Sequence, residues 1–251
     1  MGTFACGGKS IILSDMKYCA LIFCFVAFLI FPCCNEKTSS AHADDTLPDK
    51  NTKAEFGIDV SHHNGDIDWD KVSSTPLLFV YIKATEGASH MDKKYFKNFN
   101  GAKSVGYKVG SYHFFRMTSS AHAQFENFKK VAIADQQDLI PMVDVETSDK
   151  HSPKELRDSL NVFIGLIKKH YGRAPMIYAT NRSYNELCGG YYSSYHLYIG
   201  RYGKKSPQIK GKGQYTIWQY TESGHINGIP KPVDKAKFNP QYSLKDIILE
   251  Q

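Results

Sequence analysis

The stretch Ile140-Pro141-Met142-Val143-Asp144-Val145-Glu146 runs from apolar residues into two carboxylates spaced two apart. Read as a strand, its period of two puts Asp144 and Glu146 on one face and Val143 and Val145 on the other. A buried strand that ends in two acids is costly unless the acids are used. Neighbouring carboxylates push their pKa values apart, so one can keep a proton near neutral pH while the other is ionised. Hydrolysis of a glycosidic bond needs that division: a proton donor for the leaving oxygen and an anion to steady the cationic sugar. The plainer reading is a pair of acids capping the loop and helix that follow.

Upstream, strands are expected at 56–61, 77–85 and 108–115. Asp59 falls near the end of the first, and Glu86-Gly87 follows the second. Between them lie a turn-rich loop at 62–68, a short helix at 69–73 and a helix at 92–104. The stripe of Tyr95, Phe96 and Phe99 on that helix reads as core. A further helix at 119–134 carries Phe125, Phe128 and Ala132 on one side. Downstream, Ser152-Pro153-Lys154-Glu155 is a capping box with proline at the first helical position, and Gly172 stops the helix it starts. A strand at 174–180 and a short helix at 183–187 follow. Then the rhythm changes. Strands at 197–202, 216–221 and 232–238 are joined by links rich in Gly, Lys and Pro, too short and broken for crossover helices.

This pattern predicts an α/β protein: a modified single-domain β/α barrel, about five βα units followed by three strands with short links, with a largely parallel sheet. Active sites of such barrels lie at the carboxyl ends of the strands. Asp59, Glu86, Asp144 and Glu146 all fall there, which points to an enzyme.

Hydrophobic residues make up 42% of the chain and aromatics 13%, so the composition is globular rather than disordered. The net charge of +6 suits an anionic partner, but no run of Lys and Arg interleaved with aromatics argues for nucleic acid. Five of the six cysteines precede residue 35, which leaves Cys188 as a small buried apolar residue and the domain without a disulfide framework. There is no CxxC pair and no HExxH, and 59–70 lacks the calcium-loop spacing. His62 and His63, as strand neighbours, would point to opposite faces. No metal or cofactor is expected.

Residues 1–34 read as a signal of the lipoprotein type, 35–53 as a polar linker and 54–251 as the barrel. Met16-Lys17 resembles the start of the signal, and the apolar run ends at Cys33-Cys34, either of which is the expected lipidated N-terminus. Cleavage after Ala43, giving a secreted or periplasmic protein, and a retained anchor are the other two options. All three export the domain.

Gly57-Ile58-Asp59-Val60-Ser61, Tyr81-Ile82-Lys83-Ala84-Thr85-Glu86-Gly87, Tyr112-His113-Phe114, Asp144-Val145-Glu146 and Trp218-Gln219-Tyr220 occur in an order that resembles glycoside hydrolase family 25, over about residues 56–240. The resemblance implies a lysozyme that cleaves the β-1,4 bond between N-acetylmuramic acid and N-acetylglucosamine in peptidoglycan, without metal or organic cofactor. It implies Glu146 as general acid/base and Asp144 as its partner, in a retaining reaction assisted by the sugar's own acetamido group. A direct aspartate nucleophile and inversion through water stay open. Asp59 becomes a further catalytic carboxylate at the floor of the site, binding sugar hydroxyls or tuning Glu146; its plainer role, compatible with that one, is an ion pair with Lys83. Asp234 matches a strand-eight aspartate, though Lys235-Ala236 after it departs from the family pattern. Tyr112, Tyr178, Tyr202 and Trp218 are expected to line the groove, with barrel filling as their other reading. His113 reads as a hydrogen-bonded core histidine. The competing functions are a wall-glycan binder that does not cut and a hydrolase of another N-acetylated glycan such as chitin. Expected partners are peptidoglycan alone, with no nucleic acid, a membrane only through the N-terminal segment, and a monomeric chain.

Overall fold

Two glycines decide how the strands close. Gly57 and Gly110 lie on strands that flank a third, and a Cβ on either would sit 2.4 Å from Phe79 or 2.5 Å from Tyr81. In the computed structural model, which describes residues 54–249, these strands are β1 (Phe56–Val60), β2 (Leu77–Glu86) and, after the two-residue β3 (His90–Met91), β4 (Val109–Phe114). The sheet continues through β5 (Met142–Asp144), β6 (Met176–Thr180), β7 (Leu197–Gly200), β8 (Ile217–Gly224) and β9 (Val233–Phe238). A pairing between β1 and β2 closes it into a ring of eight, with β3 a short flap outside on β2. The expectations for 1–53 lie outside the described residues.

Every neighbouring pair from β1 around to β8 is parallel. The last strand, β9, is antiparallel to both β8 and β1. A short link returns the chain at the same end of the ring, so only the reversed direction is open to it. The eight barrel strands expected from the sequence are thus all present, and the sheet is a modified barrel rather than a fully parallel one.

Inside the ring, Phe79, Tyr81, Tyr198 and Phe238 meet edge to face at 5.4–6.3 Å. This aromatic plug fills the lower barrel, and Tyr81 completes it by donating its hydroxyl to the Ile140 carbonyl at 3.0 Å. Helices α1 (Trp69–Val72), α2 (Tyr95–Ser104), α3 (Ala121–Val131), α4 (Pro153–Tyr171) and α5 (Asn181–Ser183) connect the strands. The expected capping box at Ser152 and Glu155 starts α4, and Gly172 at φ 77° ends it. Its buried face is Leu156, Leu160, Phe163, Ile164 and Ile167.

Three local readings change. Helix α2 begins at Tyr95 rather than residue 92, because Asp92 is buried and accepts from the amides of His62 and Lys94. Phe96 is half exposed while Tyr95 and Phe99 are buried, so the aromatic stripe is narrower than its spacing suggested. The helix expected at 183–187 is α5 followed by a π-turn at Tyr184–Cys188, with Cys188 buried as anticipated. Among the described residues no helix is long and apolar enough to cross a membrane.

The glycine contacts carry a stability test. Gly57→Ala must push the Phe79 ring out of the plug, and overpacking of this kind costs about 1–3 kcal/mol. Urea unfolding of the variant should show that loss with an unchanged m-value.

Candidate active site

A cavity of about 480 Å³ opens at the carboxyl ends of the parallel strands. Its walls include Asp59, Tyr112, Asp144, Glu146, Tyr178, Tyr202 and Asp234. The sequence-predicted residues therefore come together, with one exception. Trp218 is not among the lining residues. Its indole nitrogen donates to the Arg201 carbonyl at 2.6 Å, and the Lys237 ammonium sits 4.8 Å from its ring centroid. Successive strand residues face opposite ways, and the inward position belongs to Gln219.

Gln219 is the residue that sequence reasoning missed, although it stands inside a quoted motif. It ties three strands together, and its partner Asp59 brings in a fourth. Tyr178 on β6 donates its hydroxyl to Gln219 Oε1 at 2.9 Å, and Gln219 Nε2 donates to Asp59 on β1 at 3.0 and 3.3 Å. Tyr198 on β7 donates to the same aspartate at 2.6 Å. Asp59 is thus buried with three hydrogen bonds from neutral donors. The expected ion pair between Asp59 and Lys83 does not form. Lys83 Nζ instead reaches Glu86 Oε2 at 2.7 Å. Glu86 also binds Arg116, and the two cations hold its carboxyl at about 2 against the desolvation of its site. It is an ion-pair member beside the cavity and not part of its lining.

Asp234 lies directly opposite Asp59 across the β1–β9 pairing. Burial first, then the Asp59, Glu222 and Glu146 carboxylates, push it up to about 8. Burial also raises Asp59, but the Tyr198 and Gln219 donors favour its anion. A proton shared by this pair accordingly rests on Asp234.

Asp144 ends β5, and burial together with Glu146 raises it well above the ordinary carboxylate range. Its Oδ1 is buried without any hydrogen-bond partner. Glu146 lies past the end of the strand and is exposed at the cavity mouth. The surrounding walls still desolvate its carboxyl enough to raise its pKa, while the Tyr178 hydroxyl, Lys83 and Arg116 act in the opposite sense. Its backbone is fixed on the far side by Ser183, whose hydroxyl donates to the Glu146 carbonyl at 3.1 Å.

The histidines have other positions. His113 is fully buried outside the ring, bonded to Thr85 at 2.7 Å and Gln124 at 3.0 Å and stacked on Phe163. Burial lowers its pKa to about 4, which suits the core role expected of it. A β-bulge between Lys83 and Thr85 makes this possible by turning Thr85 outward while Lys83 faces the cavity. His62 and His63 form a 3-10 turn rather than a strand, so their rings lie 3.9 Å apart instead of on opposite faces. Among the described residues, no group of three or more His, Cys, Asp or Glu side chains is arranged to hold a metal ion.

The profile of glycosyl hydrolases family 25 matches residues 58–229. The chain belongs to glycosyl hydrolase family 25. As a member it is a glycoside hydrolase. It is 32% identical to the uncharacterized protein YegX of Escherichia coli K12 over 188 residues, 73% of this chain and 69% of that protein. It is 31% identical to lysozyme M1 of Streptomyces globisporus over 208 residues, covering 77% and 71%. The crystal structure of the bacterial lysozyme from Streptomyces coelicolor superposes with a TM-score of 0.69 at 31% identity, over 75% of this chain and 94% of that one. Asp234 lies beyond the matched residues, so its place in this family 25 site rests on β9 alone.

The Asp59–Asp234 pair predicts a signature in stability. A carboxyl whose folded pKa is raised binds its proton more tightly folded than unfolded, so its contribution is present below about pH 4 and lost as pH rises towards 8. Asp234→Asn carries no such proton. Urea unfolding at a series of pH values should show the parent losing stability relative to the variant between pH 4 and 8. A constant difference would contradict the raised pKa.

Proposed function

We propose that this family 25 glycoside hydrolase is a muramidase that cleaves the β-1,4 bond between N-acetylmuramic acid and N-acetylglucosamine in peptidoglycan. The observation that carries the mechanism is the buried, unpartnered Oδ1 of Asp144. A lone acceptor in a desolvated wall is unfavourable until something donates to it. The acetamido N–H of an N-acetylated sugar is such a donor.

In this reading Glu146 begins protonated, as its raised pKa favours. It gives its proton to the glycosidic oxygen as that bond breaks. The acetamido oxygen of the same sugar attacks the anomeric carbon from the opposite face and closes an oxazolinium ring. Asp144 gives up its proton to solvent as substrate binds, accepts the acetamido N–H and faces the positive charge that develops there, which offsets the cost of ionising a buried acid. Water then opens the ring. Glu146, now a carboxylate, takes the proton from that water, and the anomeric configuration is retained. Asp59 and Asp234, with Tyr112, Tyr178 and Tyr202, form the hydrogen-bonding and stacking surface for the sugars.

The test uses the protein incubated with purified peptidoglycan, followed by borohydride reduction and mass spectrometry of the soluble products. Fragments ending in reduced muramic acid are expected, with no release from chitin oligomers. Glu146→Gln and Asp144→Asn should each lose about 10²–10⁴-fold in kcat. Binding without any fragments would favour a wall-glycan binder, and release from chitin would favour a broader hydrolase.

Such a substrate lies outside the cytoplasmic membrane, so the reading requires export. We further infer a monomeric lipoprotein acylated at Cys33 or Cys34. Mass spectrometry of the membrane fraction should find a lipid-modified N-terminal cysteine. A free N-terminus at Asp44 would defeat the lipoprotein assignment.

A further inference from the structure

Asp149 and Lys150 are the only non-glycine residues with positive φ among the described residues, at 47° and 71°. Side chains on L-residues disfavour this conformation, and strain of this kind persists only where the surroundings enforce it. The two residues follow Glu146 by three and four positions. What enforces the turn is visible. Asp149 Oδ2 accepts from the Met117 amide at 2.8 Å, and its Oδ1 faces Arg116 Nη1 at 3.5 Å. The Asp149 amide donates to Thr147 Oγ1 at 3.0 Å.

Arg116 is itself clamped. Its Nε and Nη2 both donate to Glu86 Oε1, at 3.0 and 2.8 Å. The other Glu86 oxygen takes Lys83 Nζ at 2.7 Å. The Phe114 ring lies 4.9 Å from Lys83 Nζ and 4.5 Å from the Arg116 guanidinium, and packs this pair of cations in place. Lys83 and Phe114 line the cavity. A continuous chain therefore leads from the cavity wall, through Glu86 and Arg116, to the Ser148–His151 turn that closely follows Glu146.

We propose that Glu86, Arg116 and Asp149 are positioning residues for Glu146: they lock the strained turn that follows it and, with Lys83, fix the charge balance beside its carboxyl. This rests on the reading of Glu146 as general acid. The chain contains two cations and two anions, and of these Lys83 and Arg116 act on the Glu146 carboxyl in the direction that favours its anion. Loss of Arg116 leaves an excess anion, and loss of Glu86 an excess cation. The other titratable or charged groups lining the same cavity are Asp144 at the end of β5, Asp59 from β1, His63 from the turn after it, Tyr112 from β4, Tyr178 from β6, Tyr202 after β7, Glu222 from β8, Lys231 from the β8–β9 link and Asp234 from β9. None of these belongs to the chain, so they form a constant background to its variants.

The experiment measures kcat and KM against pH on soluble peptidoglycan fragments, with folding of each variant checked by circular dichroism. The alkaline limb of kcat reports loss of the acid's proton. Arg116→Gln should move that limb up by about half a pH unit, because an anion is left unopposed. Glu86→Gln should move it down by about as much. Arg116→Lys keeps the charge but loses the fork, so the limb should stay while kcat falls. Asp149→Ala should lower kcat about tenfold and leave KM within about twofold, as expected for a misplaced catalytic group. Limbs that stay put or shift together in Arg116→Gln and Glu86→Gln would overturn the proposal and reduce the chain to packing. Glu146→Gln runs alongside: an inactive variant keeps the acid assignment whatever the other limbs do, and an active one removes the acid that the chain is meant to serve.

Discussion

Mutual repulsion among acids at the mouth of one barrel is the constraint on which the structure depends. Asp59, Asp144, Glu146 and Asp234 share a single cavity, and all four have raised pKa values. Such a cluster is tolerable only if each member is treated differently. Asp59 receives donors from Tyr198 and Gln219, Asp234 holds a proton, Glu146 reaches towards solvent, and Asp144 is left buried with one oxygen unanswered. The elements that supply those differences are the ones that close the ring. The aromatic plug beneath them seals the lower barrel from water and keeps the cavity above it desolvated.

The cations show the same economy of placement. Lys83 could have neutralised Asp59 directly. The bulge in β2 and the position of Glu86 turn it to a different partner, and Asp59 is satisfied by neutral groups instead. A full positive charge against Asp59 would have lowered the pKa values of the whole cluster. With neutral donors, the group can keep at least one proton in the range where carboxylates are ordinarily bare.

Much of this was legible in the residues. Short apolar runs marked all eight barrel strands, and Ser152-Pro153 with Glu155 marked the start of the longest helix. The pair Asp144 and Glu146 announced itself by spacing alone. What the sequence hid was direction and partnership. Nothing in the residues of β9 states that it runs antiparallel; that follows from where a short link must deliver it. Alternation says that Trp218 and Gln219 face opposite ways but not which one faces inward, and the fold turns Gln219 to the cavity. Phe96 kept helical spacing with Tyr95 and Phe99 yet lies beyond the edge of the face that the barrel covers. Lys83 met Glu86 rather than Asp59 because a bulge, invisible in composition, re-aims the strand.

The reversed final strand has a consequence for how such a site can change over time. Because β9 runs against its neighbours, the β8–β9 connection is a hairpin at the open end of the barrel, and Asp234 enters near the beginning of its strand. A βα crossover must span the height of the ring, so altering its length risks the packing of a helix. A hairpin has no helix to repack, and here its hold on the barrel is local: Ile226 and Ile229 are buried and the Gly228 carbonyl accepts from the Asp68 amide. Residues added at the exposed positions between them would extend the rim beside the cavity while leaving these anchors and the closed ring in place. This edge is therefore where the barrel is most evolvable: its reach along a polymer can lengthen without renegotiating the fold.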